Sequence, residues 1–265
     1  MHVVLGIDAA WTTSNPSGFA IAVKEGEGWR VKAVAASWPD FERLAFNGSS
    51  DRGNSLPCAF RLIEATKALT SMWPDVVAVD MPMARSSISG RRCSDNKISS
   101  VYGSRHCATH SPSSRRPGEI SDQLREGFEN LGIPLRTETF ATPGLIEVYP
   151  HPAIVELTGA ARRLPYKVGK IRSYWPSLDT ASRRKELLAI WRQIEASLDR
   201  EVSGVAEALQ PVDEHSSTLR LKAYEDMLDA IVCTWVGICV LQGKATAFGD
   251  AESSIRVPSS KENFG

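Results

Sequence analysis

The sequence predicts an α/β fold built around a mixed β-sheet. Three observations lead to this prediction: short apolar runs of strand length near the N-terminus, a hairpin-like turn between two of them, and helix-like segments between the later runs. Strands joined by a short turn pair antiparallel, whereas strands separated by a helix pair in parallel. We therefore expect three antiparallel strands followed by parallel strands, with flanking helices and long inserted loops.

The first three strands are predicted at the N-terminus. Residues 2–8 are rich in Val, Leu and Ile, and this run ends at Asp8, before a stretch with the composition of a turn. Two further β-like runs, 18–24 and 29–37, are separated by a Glu-Gly-Glu-Gly stretch that is typical of a hairpin connection. These runs predict three sequential antiparallel strands.

A helix and a central strand are predicted next. Residues 54–72 place their apolar side chains at the spacing of one helical face, and the pattern ends before Pro74. Residues 76–79 are continuously apolar, as in a strand that is covered on both faces. Because a crossover helix precedes this strand, we expect it to pair in parallel with the first strand, which would place Asp8 and Asp80 side by side.

The rest of the chain alternates between helix-like and strand-like segments. Residues 82–117 are an exception, because they are dense in Ser, Gly, Arg and Pro with little periodicity, and connections of this length are usually functional or mobile. The other patterns predict a helix at 119–131, a short strand at 145–149, a short helix at 152–158, an amphipathic helix at 182–198, a helix at 218–241 and a β-like edge within 244–258.

Length and charge limit the organisation and the class of the protein. The chain has 265 residues with no internal repeat and no Gly-Ser linker, so we expect one domain over residues 1–265, with insertions near residues 82–118 and 160–180. Lys+Arg 31 and Asp+Glu 31 give a formal net charge of +0, which argues against a strong nucleic-acid binder.

The cysteines and the apolar stretches predict a cytoplasmic protein without a membrane span. Five cysteines, an odd number without a paired framework, fit a reducing compartment. The N-terminus leads directly into the first predicted strand, so we expect no signal peptide. The longest apolar stretch, residues 230–241, is about half of the roughly 20 residues that a membrane span requires.

Acidic residues border apolar runs at four separate places in the chain. They are Asp8, Asp80, Glu147 and the pair Asp226 and Asp229. A carboxylate at the mouth of a buried strand is costly to desolvate alone, and a divalent cation held by converging oxygens offsets this cost. Asp226 and Asp229 project from one face of a predicted helix, where like charges repel unless a cation or a proton lies between them. The sequence therefore predicts a site for Mg²⁺ or Mn²⁺.

Several of these acids also have a simpler explanation. Asp8 fits a turn residue, and Asp80 fits a strand exit before Pro82. Asp226 fits a surface acid or a first-turn charge of its helix. Asp229 is different, because it opens the deeply apolar part of the helix, where a solvated position is unfavourable.

A set of short motifs in a fixed order carries a family resemblance. The motifs are Leu5–Asp8 with Ser17–Ala20, Val79–Pro82, Glu147–Pro150 and Asp226–Ala230. Together they resemble the ribonuclease H-like fold and, within it, the bacterial and archaeal domain-of-unknown-function family four-two-nine, whose members are usually described as predicted nucleases. Residues 90–95 are also similar to that family's Gly-Arg-Arg-x-x-Asp segment. The resemblance runs from Asp8 to about Pro258.

The resemblance implies a single ribonuclease H-like domain and a set of site residues. The resemblance implies Asp8, Asp80, Glu147 and Asp229 as candidates for catalytic metal ligands, and Asp226 as a fifth metal-ligand candidate. The Asp-x-x-Asp-Ala start of the helix is also similar to Holliday-junction resolvases of the same superfamily.

The long loop at residues 82–117 is strongly basic between Arg85 and Arg116. It carries seven Lys or Arg and one acid, Asp95, so 7 minus 1 leaves a local charge of +6. Arginine supplies paired donors to phosphate oxygens, so we expect Arg85, Arg91, Arg92 and Lys97 to bind substrate phosphate. The alternative is a solvated, flexible charge run. The seven basic residues are Arg85, Arg91, Arg92, Lys97, Arg105, Arg115 and Arg116.

The same loop contains Cys and His residues that could suggest zinc. Cys93, His106, Cys107 and His110 lie close in sequence, but they contain no C-x-x-C pair and no familiar ligand spacing. The sequence therefore argues against a structural zinc ion.

Three functional hypotheses follow from the sequence. The first is a divalent-metal-dependent nuclease or phosphodiesterase that acts on a nucleic acid or a nucleotide. The second is an ATP-binding phosphotransferase-like protein of the same superfamily, which requires a duplicated fold with a second Asp-Gly hairpin. The third is a non-catalytic binding module with an incomplete metal set.

Overall fold

The computed structural model describes residues 2–12, 14–47 and 58–259. Their strands form one sheet with the order β3-β2-β1-β4-β5-β7-β6. In chain order, the strands are β1 (Val3–Asp8), β2 (Gly18–Glu25), β3 (Gly28–Ala35), β4 (Val76–Val79), β5 (Gly144–Val148), β6 (Ala245–Gly249) and β7 (Ser254–Pro258). The helices are α1 (Trp38–Phe46), α2 (Ala59–Thr70), α3 (Cys93–Tyr102), α4 (Glu119–Asn130), α5 (Pro150–Thr158), α6 (Ile171–Tyr174), α7 (Thr180–Asp199), α8 (Val205–Ala208) and α9 (Thr218–Leu241), with a 3-10 helix at Val168–Lys170.

The pairing of the strands is mixed. β1, β2 and β3 pair antiparallel in sequence, and β1, β4, β5 and β7 pair in parallel. β6 closes the far edge by pairing antiparallel with β7. The structure therefore confirms a mixed α/β fold in which three antiparallel strands precede the parallel ones.

Helices cover both faces of the sheet. On one side, which we call the α9 face, α9, α5 and α7 pack over Val4, Ala78 and Ile146 of the three central strands. On the other side, α1, α2 and α4 pack over Leu5 and Val77. Because successive residues of a strand point to opposite faces, the central strands are apolar on both sides, as the continuous apolar runs predict.

Helix α9 lies unusually close to the sheet where it crosses β1 and β2. A Cβ atom added at Gly6 would lie 2.2 Å from Thr234 Oγ1 and 2.3 Å from the Ala230 carbonyl oxygen. A Cβ atom added at Gly18 would lie 2.2 Å from the Asp226 carbonyl oxygen. Only glycine fits at these two positions, since any side chain would push the helix away from the strands.

Most predicted elements are present in the structure. Helices α4, α5, α7 and α9 correspond to the four helices predicted after residue 118, and β6 and β7 form the predicted β-like edge. The helix predicted at 54–72 corresponds to α2, although residues 54–57 lie outside the described residues.

Four helices of the described residues were not predicted from the sequence, namely α1, α3 and the short helices α6 and α8. Helix α1 begins after Ser37, whose hydroxyl accepts a hydrogen bond from the Asp40 N–H at 3.3 Å. Helix α3 lies inside residues 82–117, where the Asp95 carboxylate accepts the Arg92 N–H at 2.9 Å at the start of the helix. Treating this whole segment as a connection without secondary structure is therefore wrong.

Helix α9 is long and largely apolar, but its apolar surface packs inside the protein. In the part of the chain that the structure describes, no helix combines the length and the apolar character that crossing a bilayer requires. The apolar residues of α9 are instead buried against the sheet and α7.

The substitution Gly6→Ala tests the close approach of α9. We expect it to lower the free energy of unfolding by about 3 kcal/mol, because the new methyl group meets backbone and side-chain atoms of α9 that cannot move independently. Urea unfolding of the purified proteins measures this change. Gly90→Ala is the matched control, since no atom lies within 4 Å of the Cβ atom that it adds. Equal unfolding midpoints for the two variants would contradict the packing.

Candidate functional site

Asp8 and Asp80 lie side by side at the carboxyl ends of neighbouring parallel strands. Ile7 of β1 pairs with Val79 of β4, and the Asp80 N–H donates a hydrogen bond to the Ile7 carbonyl oxygen at 2.8 Å. Ile7 and Val79 face away from α9, so the alternation of the strands directs the next residue of each toward the α9 face. The predicted adjacency of the two carboxylates is present.

Helix α9 brings two more acids to the same place. Gly18, the register partner of Asp8, contacts the backbone of Asp226, so the helix passes directly over the end of β1 at this residue. Asp229 is one turn further on and is fully buried. Burial and then the Asp229 carboxylate raise the pKa of Asp8 well above its usual range, against the opposing effect of the Lys167 ammonium.

Glu147 lies on the opposite face of the sheet from these four acids. It pairs with Val79 in the parallel ladder, and it lies between Ile146 and Val148, which both face α9. Its side chain therefore leaves β5 on the face away from α9. It still lines the same cleft as Asp8 and Asp80, and its charge adds to burial and to Asp229 in raising the pKa of Asp80. The structure thus places four of the five predicted metal ligands on the α9 face and Glu147 on the other face, at the border of the shared cleft.

The Glu147 carboxylate is bound by protein groups on both oxygens. Arg92 donates to Oε2 at 2.6 Å and to Oε1 at 2.7 Å, and the Met83 N–H donates to Oε2 at 2.8 Å. Arg92 also donates to both oxygens of Asp95. Burial raises the pKa of Glu147, and Arg92 opposes this shift. This network is a buried ion-pair arrangement that fixes the segment after β4.

A lysine and a tyrosine that the sequence did not single out occupy the acidic cluster. Tyr166 donates its hydroxyl proton to Asp229 Oδ1 at 2.8 Å, and Lys167 Nζ bonds to Asp229 Oδ2. The same ammonium lies 3.4 Å from Glu225 Oε1, and the Val168 N–H donates to Glu225 Oε2 at 2.5 Å. Burial lowers the pKa of Lys167, but Asp229 and the other acids raise it well above its usual range. Lys167 is therefore a permanent cation within the cluster.

Asp226 is paired with a second lysine. Lys222 Nζ contacts Asp226 Oδ1 and lies 2.9 Å from Glu225 Oε1. Burial raises the pKa of Asp226, and Lys222 opposes this shift. On the α9 face, five acids therefore surround two lysines, and 5 minus 2 leaves an excess of three negative charges when all are ionised. The five acids are Asp8, Asp80, Glu225, Asp226 and Asp229.

Asp8 and Asp80 are the two acids of this cluster without a protein hydrogen-bond donor. Within the described residues, no N–H or O–H group donates to either carboxylate. Burial and then Asp229 raise the pKa of Asp80 to about 7. Each of the two carboxylates therefore needs a proton or a bound cation to offset its charge.

These two carboxylates reach a cleft at the end of the sheet. The cleft has a volume of about 200 Å³. Asp8, Asp80, Glu147 and Arg92 all line it, so it joins the acidic cluster to the Arg92–Glu147 ion pair, whereas Asp226 and Asp229 lie behind it. The remaining residues of the lining are Ala9, Trp11, Pro82, Asp95, Thr109, His110, Val148, Tyr149 and Ile255.

The carboxylate oxygens at the cleft suit a hard divalent cation, such as Mg²⁺, that keeps several water molecules as ligands. As the side chains stand, no three His, Cys, Asp or Glu residues among the described residues are arranged to hold one ion together. Mg²⁺ is commonly bound through one or two carboxylates, with water and substrate phosphate completing its shell. Asp8 and Asp80 supply such a pair, and Lys167 already stands as a cation beside them.

The basic loop residues predicted to bind phosphate all bond to protein groups. Arg91 donates to Asn96, Ser99, Ser111 and two backbone carbonyl groups, which holds residues 109–111 against α3. The contacts of the other three follow. Arg92 forms the ion pair with Glu147, Arg85 donates to the Ala251 carbonyl oxygen at 2.8 Å, and Lys97 donates to the Gly249 carbonyl oxygen.

The raised pKa of Asp80 predicts that stability falls as the pH rises. The pKa of Asp80 is about 7 in the folded protein, against an ordinary value of 3.8 in the unfolded chain, so between these two pH values the folded state holds one more proton than the unfolded state. The stabilising contribution is complete below the lower value and is lost as the pH rises through the upper one. In chelator, we expect the free energy of unfolding to fall by about 2 kcal/mol between about pH 5 and pH 7.

Chemical denaturation over this pH range measures the effect. The variant Asp80→Asn removes the titrating group and keeps the shape of the side chain, so its stability should depend less on pH. An unchanged slope in this variant would assign the pH dependence to other groups.

One comparison with known proteins identifies a family. The chain matches a family described as "Protein of unknown function (DUF429)" over residues 6–253. No curated protein and no solved structure matches the chain. Because the match spans most of its length, the chain belongs to the DUF429 family.

Proposed function

We propose that this protein is a Mg²⁺- or Mn²⁺-dependent phosphodiester hydrolase of the nuclease type. One observation carries the proposal: Asp8 and Asp80 lie together at the ends of two parallel strands, without protein donors, at the edge of a cleft. Three antiparallel strands followed by parallel strands, with α9 packed across them, also support the ribonuclease H-like assignment. The substrate is a nucleic acid or a nucleotide.

The proposed hydrolysis depends on the two carboxylates that face the cleft. A divalent ion bound at Asp8 and Asp80 would activate water and stabilise the charge that develops on a phosphodiester. Asp229 holds Lys167 beside this position, so it supports the charge balance of the site although its own oxygens are bonded. Glu147 and Arg92 fix the rim of the cleft from the other face.

A second candidate function is a non-catalytic binding module. The observation that favours it is the pairing of Asp229 and Asp226 with lysines, which leaves fewer carboxylate oxygens for metal than the predicted set offers.

The phosphotransferase alternative receives less support, because the sheet of the described residues contains one hairpin after an acidic strand end, with no second copy there. The five cysteines, which form no disulfide, support a cytoplasmic location.

Hydrolysis assays with Mn²⁺ or Mg²⁺ test the proposed function. The panel contains single-stranded and duplex DNA and RNA, hybrid and branched substrates, and a dinucleotide. We expect Asp8→Asn and Asp80→Asn each to lower the rate by about 100-fold or more, because each removes a charged ligand of the metal. Glu27→Gln, in the exposed turn between β2 and β3, is the control and should retain full activity. Activity that survives both substitutions would overturn the metal assignment.

The position of Lys167 beside Asp8 and Asp80 should lower the affinity of the site for metal, and this effect can be measured without a hydrolysis assay. Removing its charge in Lys167→Met should tighten Mn²⁺ binding by about tenfold, since the ammonium repels a divalent ion at Asp8 and Asp80. Calorimetric titration with MnCl₂ measures the affinity. Lys167→Arg keeps the charge and should bind Mn²⁺ like the wild type. Weaker binding by Lys167→Met would show that the lysine does not oppose the metal.

A further inference from the structure

The cleft is too small to hold a whole substrate. It extends from Trp11, after β1, past Asp80 and Tyr149 to Ile255 of β7. These strands are neighbours in the order β1-β4-β5-β7, so three strand intervals of about 4.8 Å give a length of about 14 Å. Its volume of about 200 Å³ is below the roughly 300–1,000 Å³ of pockets that enclose a complete small ligand. The cleft therefore holds one part of a longer molecule, whose remainder lies outside.

One basic side chain stands at the Trp11 end of this cleft. Arg116 belongs to a tight turn that is closed by two backbone hydrogen bonds with Ser113, of 2.8 Å and 3.0 Å. Its guanidinium carbon lies 5.9 Å from the centre of the Trp11 ring. An arginine stacked on an aromatic ring loses little further conformational freedom when it binds a ligand.

Arg116 differs in its partners from the loop residues that the sequence predicted to bind phosphate. Arg91, Arg92 and Lys97 donate to protein acceptors, so their donors are already used. The Arg116 side chain is exposed, and within the described residues no carboxylate forms an ion pair with its guanidinium group. Its donors are therefore free to bind an anion from solution.

An acidic cleft needs such a cation if its substrate is a polyanion. Asp8 and Asp80 repel phosphate, and this repulsion grows along a chain that carries one negative charge per nucleotide. A guanidinium at the mouth of the cleft offsets the repulsion and binds phosphate oxygens with paired donors. A duplex cannot enter a cleft of this volume, whereas a single strand can place part of one nucleotide inside it.

We propose that Arg116, braced against Trp11, binds a backbone phosphate of a single-stranded nucleic acid whose adjoining nucleotide enters the cleft. This inference rests on the proposed function, because it names the substrate class of the same site. Arg116 is a substrate-binding residue that positions the strand, and Asp8 and Asp80 act on the phosphodiester within the cleft.

The experiment compares two adjacent arginines. Arg116→Ala and Arg115→Ala each remove one positive charge from the same exposed turn, but Arg116 alone lies on Trp11. The probe is a short fluorescent oligothymidylate with phosphorothioate linkages, which keep the charge and resist hydrolysis. Fluorescence anisotropy measures its dissociation constant at several salt concentrations, with Mn²⁺ present. A duplex of the same linkage chemistry and length is the comparison probe.

We expect Arg116→Ala to weaken binding of the single strand by about tenfold. The slope of the logarithm of affinity against the logarithm of salt should fall by about 0.7, the value for one lost phosphate contact on a single strand. Arg115→Ala should change both quantities much less. Arg116→Lys keeps the charge but loses the planar stacking on Trp11, so its affinity should lie between those of Arg116→Ala and the wild type.

Other outcomes overturn the inference in distinguishable ways. Equal losses for Arg115→Ala and Arg116→Ala would indicate a diffuse charge effect, and an unchanged salt slope in Arg116→Ala would exclude a phosphate contact. Wild-type protein that binds the duplex more tightly than the single strand would overturn the substrate class. In each of these cases the proposed function still stands if Mn²⁺-dependent hydrolysis is abolished by Asp80→Asn, and it fails separately if no substrate is hydrolysed.

Discussion

Helix α9 rests directly on the backbone of β1 and β2, and this contact positions the candidate site. Gly6 and Gly18 leave room for the helix, so its first acidic residues arrive beside the end of β1. The remaining turns of α9 are almost wholly buried, and the apolar surface that they remove from water offsets the cost of placing carboxylates together. The same helix therefore supplies both the stabilising core contacts and the destabilising charges.

The charge balance of the site depends on residues that are distant in sequence. Tyr166, Lys167 and Val168 bond in succession to two acids of α9, and the Trp191 indole N–H donates to the Tyr166 carbonyl oxygen at 2.8 Å. This arrangement holds the Lys167 ammonium, which is only partly exposed, against the acids of α9. The site is best described as a mixed cluster of acids and lysines, of which two carboxylates face the cleft.

The sequence predicts much of the fold and part of the site, and the limits have physical causes. Asp8 and Asp80 could be placed together because each ends an apolar strand with a crossover helix between them. The side of the sheet to which Glu147 points could not be predicted from the sequence. Strand β5 is buried on both faces, so its residues show no alternation of apolar and polar side chains that would indicate the two sides. Lys167 lies in a stretch without clear periodicity, and its partner Asp229 is 62 residues away, so neither spacing nor composition indicates the pair. The basic loop was identified by charge alone, which cannot separate an arginine such as Arg116 from those bonded to the protein.

The outer edge of the sheet at β3 affects whether two copies of this chain can pair their sheets edge to edge. Ser203 donates its N–H to the Trp29 carbonyl oxygen at 2.9 Å and its carbonyl oxygen accepts the Val31 N–H at 2.9 Å, so it occupies two of the outward hydrogen-bonding groups of the strand. Arg30 and Glu207 add an ion pair at 2.6 Å on the same border. An edge strand with unpaired N–H and C=O groups can pair with a strand of another molecule, which leads to aggregation. Here the first half of the edge is bonded to the chain's own backbone and flanked by charge, which disfavours the joining of two sheets through that part of β3.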